Sequence, residues 1–338
     1  MSVVIPQRFG WVGLGAMGYP MANQLLKNSS SKLVIFDLDQ SVLHRFVREA
    51  PSGRVEIASS TRQVADESVR KRPTGKHVKE VYLTAETGLL AANTPGKVFV
   101  DCSTIDLATS IAIGEAVSMS SDAENPARFY DCPVSGGTAG AVKGTITFMV
   151  GMAADDPGFP FIRSILSTMG GSINPMGRKG LGLAAKLCNN YLSGTIALAT
   201  SEAMNLGMKL GIDPKVLSDC LDKGSAANWV NSTVNPGKCF SVFDLSLAIF
   251  YTCTVPGVCP DAVTSKSYEG GFKVQLMEKD LRLAVEAAQG VGAKLVLGDT
   301  TIQAYHSAAS DLEYRDKDSR VVYKWLGGVD PRTNAGEH

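Results

Sequence analysis

A glycine-rich turn near the start of the chain restricts the fold more than any other feature. Residues 13–18 follow the apolar stretch Arg8–Gly13, precede the helical spacing of Tyr19–Lys27, and have the spacing G-x-G-x-x-G. In this setting the first glycine permits a tight turn, the second admits a pyrophosphate and the third lets helix and strand pack closely. The turn therefore predicts a dinucleotide-binding Rossmann domain, against the alternative of a glycine-rich turn in an unrelated α/β protein. The candidate cofactor-binding residues in it are Gly13, Leu14, Gly15, Ala16, Met17 and Gly18.

An acidic residue at the end of the second predicted strand bears on which dinucleotide binds. That strand is Lys32–Asp37, and Asp37 stands about 20 residues beyond the turn, where such domains hold the ribose of the cofactor. A carboxylate there accepts a hydrogen bond from the ribose 2′-hydroxyl and repels a 2′-phosphate. Asp37 therefore predicts NAD rather than NADP; the alternative is a solvated turn residue.

The alternation of strand-like and helix-like segments ends near residue 177. Over residues 8–177 it predicts a mostly parallel, doubly wound α/β sheet. Residues 178–325 are predicted to be all-α and begin with a nearly uncharged helix at Leu181–Leu210, which is typical of a buried helix. A length of 338 residues suits two domains of this kind.

Charge and cysteine content exclude several classes of protein. The chain has 33 Lys and Arg against 33 Asp and Glu, which argues against a nucleic-acid binder or a polybasic membrane-surface protein. Its seven cysteines include no C-x-x-C pair and suit a reducing compartment better than a disulfide scaffold. A small-molecule substrate is the expected partner, and no metal site is predicted.

Two further segments carry residues suited to chemistry. In Asp131–Gly137 (DCPVSGG) a strand end runs into a glycine turn, and the N–H groups of Ser135, Gly136 and Gly137 can form a small anion nest for a substrate carboxylate. A plain turn is the alternative there.

The second segment lies in the long helix, where Lys186 and Asn190 are four residues apart and share one face. Burial favours the neutral amine, the form of lysine that accepts a proton, as the oxidation of an alcohol requires. The asparagine can hold the ammonium group or the substrate oxygen. The alternative is a lysine at a helix edge that extends its ammonium group to solvent.

Taken together, these motifs resemble the β-hydroxyacid dehydrogenase family, of the 6-phosphogluconate dehydrogenase type. The match runs in the family's order from about residue 9 to 310. Its stretches are GLGAMGYPMA (13–22), DCSTID (101–106), DCPVSGG (131–137), GLAAKLCNN (182–190), SEAMNL (201–206), VPGVCPD (255–261) and YEGGFKVQLMEKDL (268–281).

The resemblance implies a fold and a role for each matching residue. The fold is an N-terminal Rossmann domain, a long connecting helix and an all-α C-terminal domain. Lys186 matches the catalytic lysine, Asn190 the asparagine beside it, and the loop at residues 135–137 the loop that holds the substrate carboxylate. Further residues matching cofactor contacts are Thr104, Phe272 and Lys279.

The resemblance also implies a reaction and a setting. The reaction is NAD-dependent oxidation of 3-hydroxyisobutyrate to methylmalonate semialdehyde in valine catabolism, with Lys186 as general acid and base. Glyoxylate, succinic semialdehyde and tartronate semialdehyde are the alternative substrates, and a catalytically crippled dinucleotide-binding protein is the alternative of another class. A homodimer or homotetramer in the mitochondrial matrix is expected, although no presequence is visible and a cytoplasmic location is the alternative.

Two segments depart from the family pattern. The family has a buried strand and a cofactor-contacting turn between Ala65 and Val81, but here Arg-Lys-Arg precedes Pro73, and three cations cannot replace a central strand cheaply. Pro73 remains a candidate cofactor contact. Residues 237–254 form an insertion whose removal joins Asn235-Pro236 to Val255. We interpret it as a retained intron, and the lost strand as coding sequence removed as an intron.

Overall fold

The computed structural model describes residues 5–67, 75–228, 230–231, 254–258 and 262–332, without the side chains of residues 75–77. The chain divides into two compact units, Met1–Lys186 and Leu187–His338, so the division falls inside the long helix, nine residues beyond the predicted boundary at 177.

Eight strands in the described part of the first unit form three separate ladders. One ladder has the parallel order β1-β2-β3, the second pairs β4 with β5 in parallel, and the third joins β7 to β8 in parallel and to β6 antiparallel. The strands are β1 (Arg8–Val12), β2 (Lys32–Phe36), β3 (Val55–Ile57), β4 (Val98–Asp101), β5 (Arg128–Asp131), β6 (Val134–Ser135), β7 (Ile146–Val150) and β8 (Gly170–Pro175).

Helices accompany these strands as the α/β prediction requires. Leu43 and Phe46 are fully buried, and the Asp39 side chain caps the helix that carries them by accepting from the N–H groups of Ser41 and Val42. The helices that lie wholly in this unit are α1 (Gly18–Lys27), α2 (Gln40–Glu49), α3 (Thr61–Glu67), α4 (Gly75–Leu83), α5 (Leu107–Met119), α6 (Gly137–Lys143) and α7 (Phe159–Leu166).

The described residues contain no strand between β3 and β4 in the sequence. α3 occupies the start of the segment where the family has its strand, and α4 occupies the end. In the described ladders β1 pairs with β2 alone and β4 pairs with β5 alone. The Arg-Lys-Arg run and Pro73 lie outside the described residues.

The regular elements described in the second unit are helices, apart from one isolated antiparallel bridge between Lys273 and Asp318. α8 (Leu181–Lys209) is 29 residues long and crosses from the first unit into the second. A second core forms there around the fully buried Tyr305 and Tyr323. The remaining helices are α9 (Pro214–Lys223), α10 (Val274–Gly290), α11 (Gly298–Ser310) and α12 (Val322–Trp325). Residues 237–253 of the insertion lie outside the described part.

Candidate active site

The glycine turn has the geometry that its spacing predicts. Gly13 follows β1 with a φ of 92°, which favours glycine. A Cβ atom added at Gly18 would lie 2.1 Å from the carbonyl oxygen of Gly13, so the third glycine is required for α1 to pack against the turn. A Cβ at Gly15 would meet nothing within 4 Å. The second glycine therefore faces open space, as backbone that must approach a ligand would.

The N-terminus of α1 suits the phosphates of a dinucleotide. Its first turn contains no acidic residue, and its N-cap residue Met17 forms no side-chain capping bond. α2, by contrast, is capped by the carboxylate of Asp39. Because unpaired N–H groups and the helix dipole attract anions, this turn fits the pyrophosphate of the predicted cofactor.

Asp37 lies beside this turn rather than within the strand. β2 ends at Phe36, one residue earlier than predicted, and the Asp37 carboxylate accepts from the N–H of Leu14 at 2.6 Å and from that of Asp39 at 2.9 Å. The two hydrogen bonds hold the carboxylate at the carboxyl end of β2, next to the cofactor turn. A ribose hydroxyl is the natural donor for its remaining acceptor positions.

The different surroundings of two glycines give a paired prediction. Gly18→Ala should lower the free energy of unfolding by about 1–3 kcal/mol, because the added carbon overlaps the Gly13 carbonyl. Gly15→Ala should leave the unfolding free energy within about 0.5 kcal/mol, since its methyl enters open space, yet weaken cofactor binding. Urea unfolding and NADH fluorescence titration of both variants measure the two effects. Equal destabilisation by both variants would contradict the assignment of Gly18 to helix packing and of Gly15 to the approach of the cofactor.

Thr104 lies shortly after β4, and the loop at residues 135–137 lies shortly after β5, which pairs with β4 in parallel. Thr104 is half-buried and lies beyond Asp101, the last residue of β4, whose carboxylate accepts from the N–H and hydroxyl of Ser103. Asp101 pairs in register with Asp131, the last residue of β5. Ligands of open α/β sheets bind at the carboxyl ends of the strands, where both loops start.

The predicted anion nest has the backbone conformation of a tight turn. Gly136 has a φ of 127° and Gly137 a φ of 62°, and both lie where glycine is favoured. Ser135 is half-buried and pairs with Thr147 in the short antiparallel ladder, and a Cβ at Gly137 would meet nothing within 4 Å. The turn thus depends on two glycines and has open space beside Gly137; its role as an anion nest stays a prediction.

Lys186 is buried near the start of α8. Only 8% of its surface is exposed, which favours a buried lysine over the solvent-extended alternative. The preceding turn of the helix is held by Asp131, whose two carboxylate oxygens accept from the N–H groups of Gly180 and Leu183, each at 2.8 Å. Burial raises the pKa of the Asp131 carboxyl, while these two hydrogen bonds act in the opposite direction.

In the second unit, Asn190 belongs to a network of buried polar groups. Its amide nitrogen donates to one carboxylate oxygen of Asp280, and its oxygen accepts from Asn189 at 3.0 Å. The other oxygen of Asp280 forms an ion pair with the ammonium group of Lys279 at 2.7 Å. Asp280 is 1% exposed, whereas the Lys279 side chain is 40% exposed. One buried carboxylate therefore orients the predicted asparagine and the predicted cofactor lysine together.

Phe272 lies outside this network, in the loop before α10. Its N–H donates to the fully buried carboxylate of Asp318 at 2.9 Å, which also accepts from the guanidinium of Arg320. Ser267 and Tyr268 of the same loop have positive φ values of 56° and 60°. The ion-paired carboxylate of Asp318 thus fixes the end of a loop that has an uncommon backbone conformation at Ser267 and Tyr268.

No role is predicted from the sequence for three buried carboxylates, those of Asp131, Asp280 and Asp318. A signal for Asp280 existed, because the buried residues of α10 (Val274, Met277, Asp280, Leu281 and Ala284) form one face and include this single acid. Within the described ranges, no cluster of three or more His, Cys, Asp or Glu could hold a metal ion. No described helix is long and apolar enough to cross a membrane.

Comparisons with known proteins identify the family. The model for the NAD binding domain of 6-phosphogluconate dehydrogenase matches residues 8–177, and that for the NAD-binding domain of NADP-dependent 3-hydroxyisobutyrate dehydrogenase matches residues 180–326. A probable mitochondrial 3-hydroxyisobutyrate dehydrogenase of Dictyostelium discoideum is 37% identical over 96% of this chain and 92% of its own. The chain belongs to the 3-hydroxyisobutyrate dehydrogenase family.

Two further relatives define the breadth of that family. An NAD-dependent L-serine dehydrogenase of Pseudomonas aeruginosa is 36% identical over 94% of this chain and 97% of its own. The structure of Mycobacterium tuberculosis 3-hydroxyisobutyrate dehydrogenase with L-serine has a TM-score of 0.79 and 28% identity, covering 96% of this chain and 99% of that one. The chain is thus an oxidoreductase that uses a nicotinamide dinucleotide, and the predicted α/β fold with an all-α second half is confirmed.

Proposed function

We propose that the chain oxidises 3-hydroxyisobutyrate to methylmalonate semialdehyde with NAD, as a step of valine catabolism. The observation that carries the proposal is the buried Lys186 in α8, on the same helix face as the buried Asn190. In a family of hydroxyacid dehydrogenases a buried lysine can serve as the general base, since the oxidation of an alcohol releases a proton that a base must take.

Each candidate residue of the substrate site has a separate task in this reaction. The Nζ atom of Lys186 takes the proton of the 3-hydroxyl group, and returns one when the reaction runs in reverse. Ser135 and the N–H groups of Gly136 and Gly137 bind the substrate carboxylate. Asn190 holds the substrate oxygen, while Asp280 orients its amide.

The cofactor residues complete the proposal. NAD, when bound, supplies the nicotinamide ring that accepts the hydride. The turn at residues 13–18 binds its pyrophosphate and Asp37 its ribose, while Thr104, Phe272, Lys279 and Pro73 contact the rest. Pro73 is proposed from the sequence alone, since it lies outside the described residues.

L-serine is a second candidate substrate. It has the carboxylate and the primary hydroxyl of 3-hydroxyisobutyrate, with an amino group in place of the methyl group. An L-serine dehydrogenase among the relatives and L-serine in a related structure favour it over other hydroxy acids. A common carboxylate loop and a common base would serve both substrates.

Initial rates of NADH formation by the full chain test the proposal. We expect the highest kcat/KM with (S)-3-hydroxyisobutyrate, a lower value with L-serine, and lower values again for NADH consumption with glyoxylate, succinic semialdehyde and tartronate semialdehyde. A higher kcat/KM with any of these other compounds would identify that compound as the substrate in place of 3-hydroxyisobutyrate. Binding of NADH without turnover of any of these compounds would favour a non-catalytic dinucleotide-binding protein.

The preference for NAD gives a prediction at Asp37. Asp37→Ala should weaken NAD binding about 10- to 100-fold, the effect of losing a charge-assisted hydrogen bond, and should improve NADP binding because a repulsive charge disappears. Asp39→Ala is the matched control: it removes an acid two residues away that caps α2, so it should cost stability and leave the NADP-to-NAD ratio unchanged. An unchanged ratio in Asp37→Ala would contradict the assignment.

We further propose that the enzyme is a homo-oligomer in the mitochondrial matrix. The location follows the name of the Dictyostelium relative. For the oligomer, α8 presents Leu192 and Leu206 on its surface, exposed by 58% and 61%, and Leu210 directly after the helix is 73% exposed. Exposed leucines of this kind suit a second copy of the same segment.

Leu206→Glu tests the oligomer, because a carboxylate in an apolar interface is costly to desolvate. We expect the variant to elute as a monomer where the parent chain elutes as a dimer or tetramer, by size exclusion with light scattering. Val291→Glu, at an exposed apolar residue just beyond α10, is the control and should keep the parent mass. A monomeric parent chain would refute the proposal.

A further inference from the structure

Asp131 is a buried carboxylate to which the proposed chemistry gives no task. It ends β5 and is 2% exposed. Burying a carboxylate is costly unless it is hydrogen-bonded, and both oxygens of Asp131 are used, one by Gly180 N–H and the other by Leu183 N–H. The two donors come 49 and 52 residues later in the chain. The carboxylate therefore joins two distant segments of the first unit.

The later segment is the N-terminus of α8. The first N–H groups of a helix have no partner inside the helix, and a carboxylate that accepts from them fixes the first turn in place. Lys186 comes three residues after Leu183, on the next turn of the same helix. A displacement of the first turn would therefore displace Lys186 with it.

The packing around Asp131 leaves little room for such a displacement. A Cβ at Gly182, in the first turn of α8, would lie 2.4 Å from the carbonyl oxygen of Met149 and 2.7 Å from that of Asp131. A Cβ at Gly151 would lie 2.0 Å from a carboxylate oxygen of Asp131. Helix, strand ends and carboxylate are thus in direct contact, at positions where only glycine fits.

The backbone of Asp131 is fixed as firmly as its side chain. Its carbonyl oxygen accepts from Gly151 N–H at 2.8 Å, and that of Pro133 accepts from Met149 N–H at 3.0 Å. From there the chain runs directly into the turn at residues 135–137. The candidate carboxylate-binding turn and the helix of the candidate base therefore share one anchoring residue.

We propose that Asp131 is a positioning residue for catalysis, holding the first turn of α8 so that Lys186 meets the substrate hydroxyl. The inference rests on the proposed role of Lys186 as the proton acceptor. A misplacement of a reacting group by about 1 Å can cost about 100-fold in rate, so the residue should act on kcat far more than on cofactor binding.

Asp131→Asn in the full chain is the direct test. An amide offers one acceptor and one donor group, so it leaves one helix N–H unpaired while keeping the size of the side chain. We expect kcat with 3-hydroxyisobutyrate to fall about 10- to 100-fold, with the KM for NAD unchanged within about twofold. In the Lys186→Ala background the same substitution should cause no further loss, because effects that act through one group are not additive.

A second variant and a matched control accompany this test. Gly182→Ala leaves the carboxylate intact but pushes the first turn away from β7, and should give the same loss of kcat that vanishes in the Lys186→Ala background. Asp213→Asn is the control, since Asp213 accepts from two N–H groups of α9 at 2.9 Å and 3.1 Å; it should cost stability and leave kcat unchanged.

The outcomes separate this inference from the proposed function. If Lys186→Ala keeps its kcat, the proposed function fails. Suppose instead that Lys186→Ala lowers kcat, and that Asp131→Asn lowers kcat by the same factor in the parent chain and in Lys186→Ala. The positioning role alone is then refuted. Failure of both Asp131→Asn and Gly182→Ala to fold would also overturn it, because Asp131 would then serve folding rather than catalysis.

Discussion

Replacement of Lys186 by alanine is expected to lower kcat by about 100- to 10,000-fold, the usual contribution of a general base. The carbon that bears the 3-hydroxyl group can give up its hydride to form the aldehyde only if the hydroxyl oxygen also loses its proton. In the proposed mechanism the Lys186 amine takes that proton. NADH should still bind with its normal affinity, because the turn at residues 13–18 and Asp37 are untouched. Steady-state kinetics and fluorescence titration measure the two quantities.

Two further substitutions make the result specific to proton transfer. Lys186→Arg keeps a cation but cannot act as a base, because a guanidinium does not lose its proton in proteins; it should therefore be as inactive as the alanine variant. Lys209→Ala, at the exposed last turn of the same helix, should retain normal kcat. An arginine variant with normal kcat would show that Lys186 supplies only charge.

The second large effect is expected from repair of the two irregular segments. Replacing residues 66–75 by an apolar, strand-forming stretch of the family pattern, and deleting residues 237–254, should raise both the unfolding free energy and kcat/KM. In the described ladders β1 pairs only with β2 and β4 only with β5. A strand that pairs with the other edges of β1 and β4 would add ladder hydrogen bonds worth about 0.5–1.5 kcal/mol each, hence several kcal/mol in total.

Deletion of residues 237–254 should be tolerated by the described structure. Tyr268 donates its hydroxyl hydrogen to the backbone carbonyl of Thr254 at 2.9 Å. The deletion makes Pro236 the residue that precedes Val255 in the sequence, so a backbone carbonyl is expected to remain available to Tyr268. Chemical denaturation and kinetics of the two single repairs and the combined repair provide the measurement. Transcripts that encode residues 66–75 and 237–254 as they stand, with no gain from repair, would refute the interpretation as errors of splicing.

Local signals explain which elements could be predicted from the sequence. α2 and α9 begin at local signals in the sequence, because Asp39 caps the first and the pair Asp213-Pro214 opens the second. The glycine turn was predictable because the reasons for its first and third glycines are local: Gly13 has a positive φ, and a Cβ at Gly18 would overlap the carbonyl of Gly13. α3 and α4 were not predicted, since they stand where the family pattern indicates a strand.

The parts of the site that escaped prediction depend on contacts distant in sequence. Asn190 and Asp280 are 90 residues apart, and no local pattern indicates that they form a hydrogen bond. The same holds for Asp131 and the start of α8. The roles predicted for Lys186 and Ser135 follow from their residue types together with the family resemblance, and that of Lys279 from the resemblance alone. The carboxylates that orient these groups are evident only in the structure.

The measurement that tests the account most directly is NADH formation from (S)-3-hydroxyisobutyrate, followed for the full chain, its repaired form and the Lys186→Ala variant of each. The account predicts turnover by the full chain, faster turnover by the repaired chain, and a loss of at least about 100-fold in both on removal of Lys186. A repaired chain that binds NADH yet oxidises neither 3-hydroxyisobutyrate nor L-serine would contradict it, as would turnover that does not depend on Lys186.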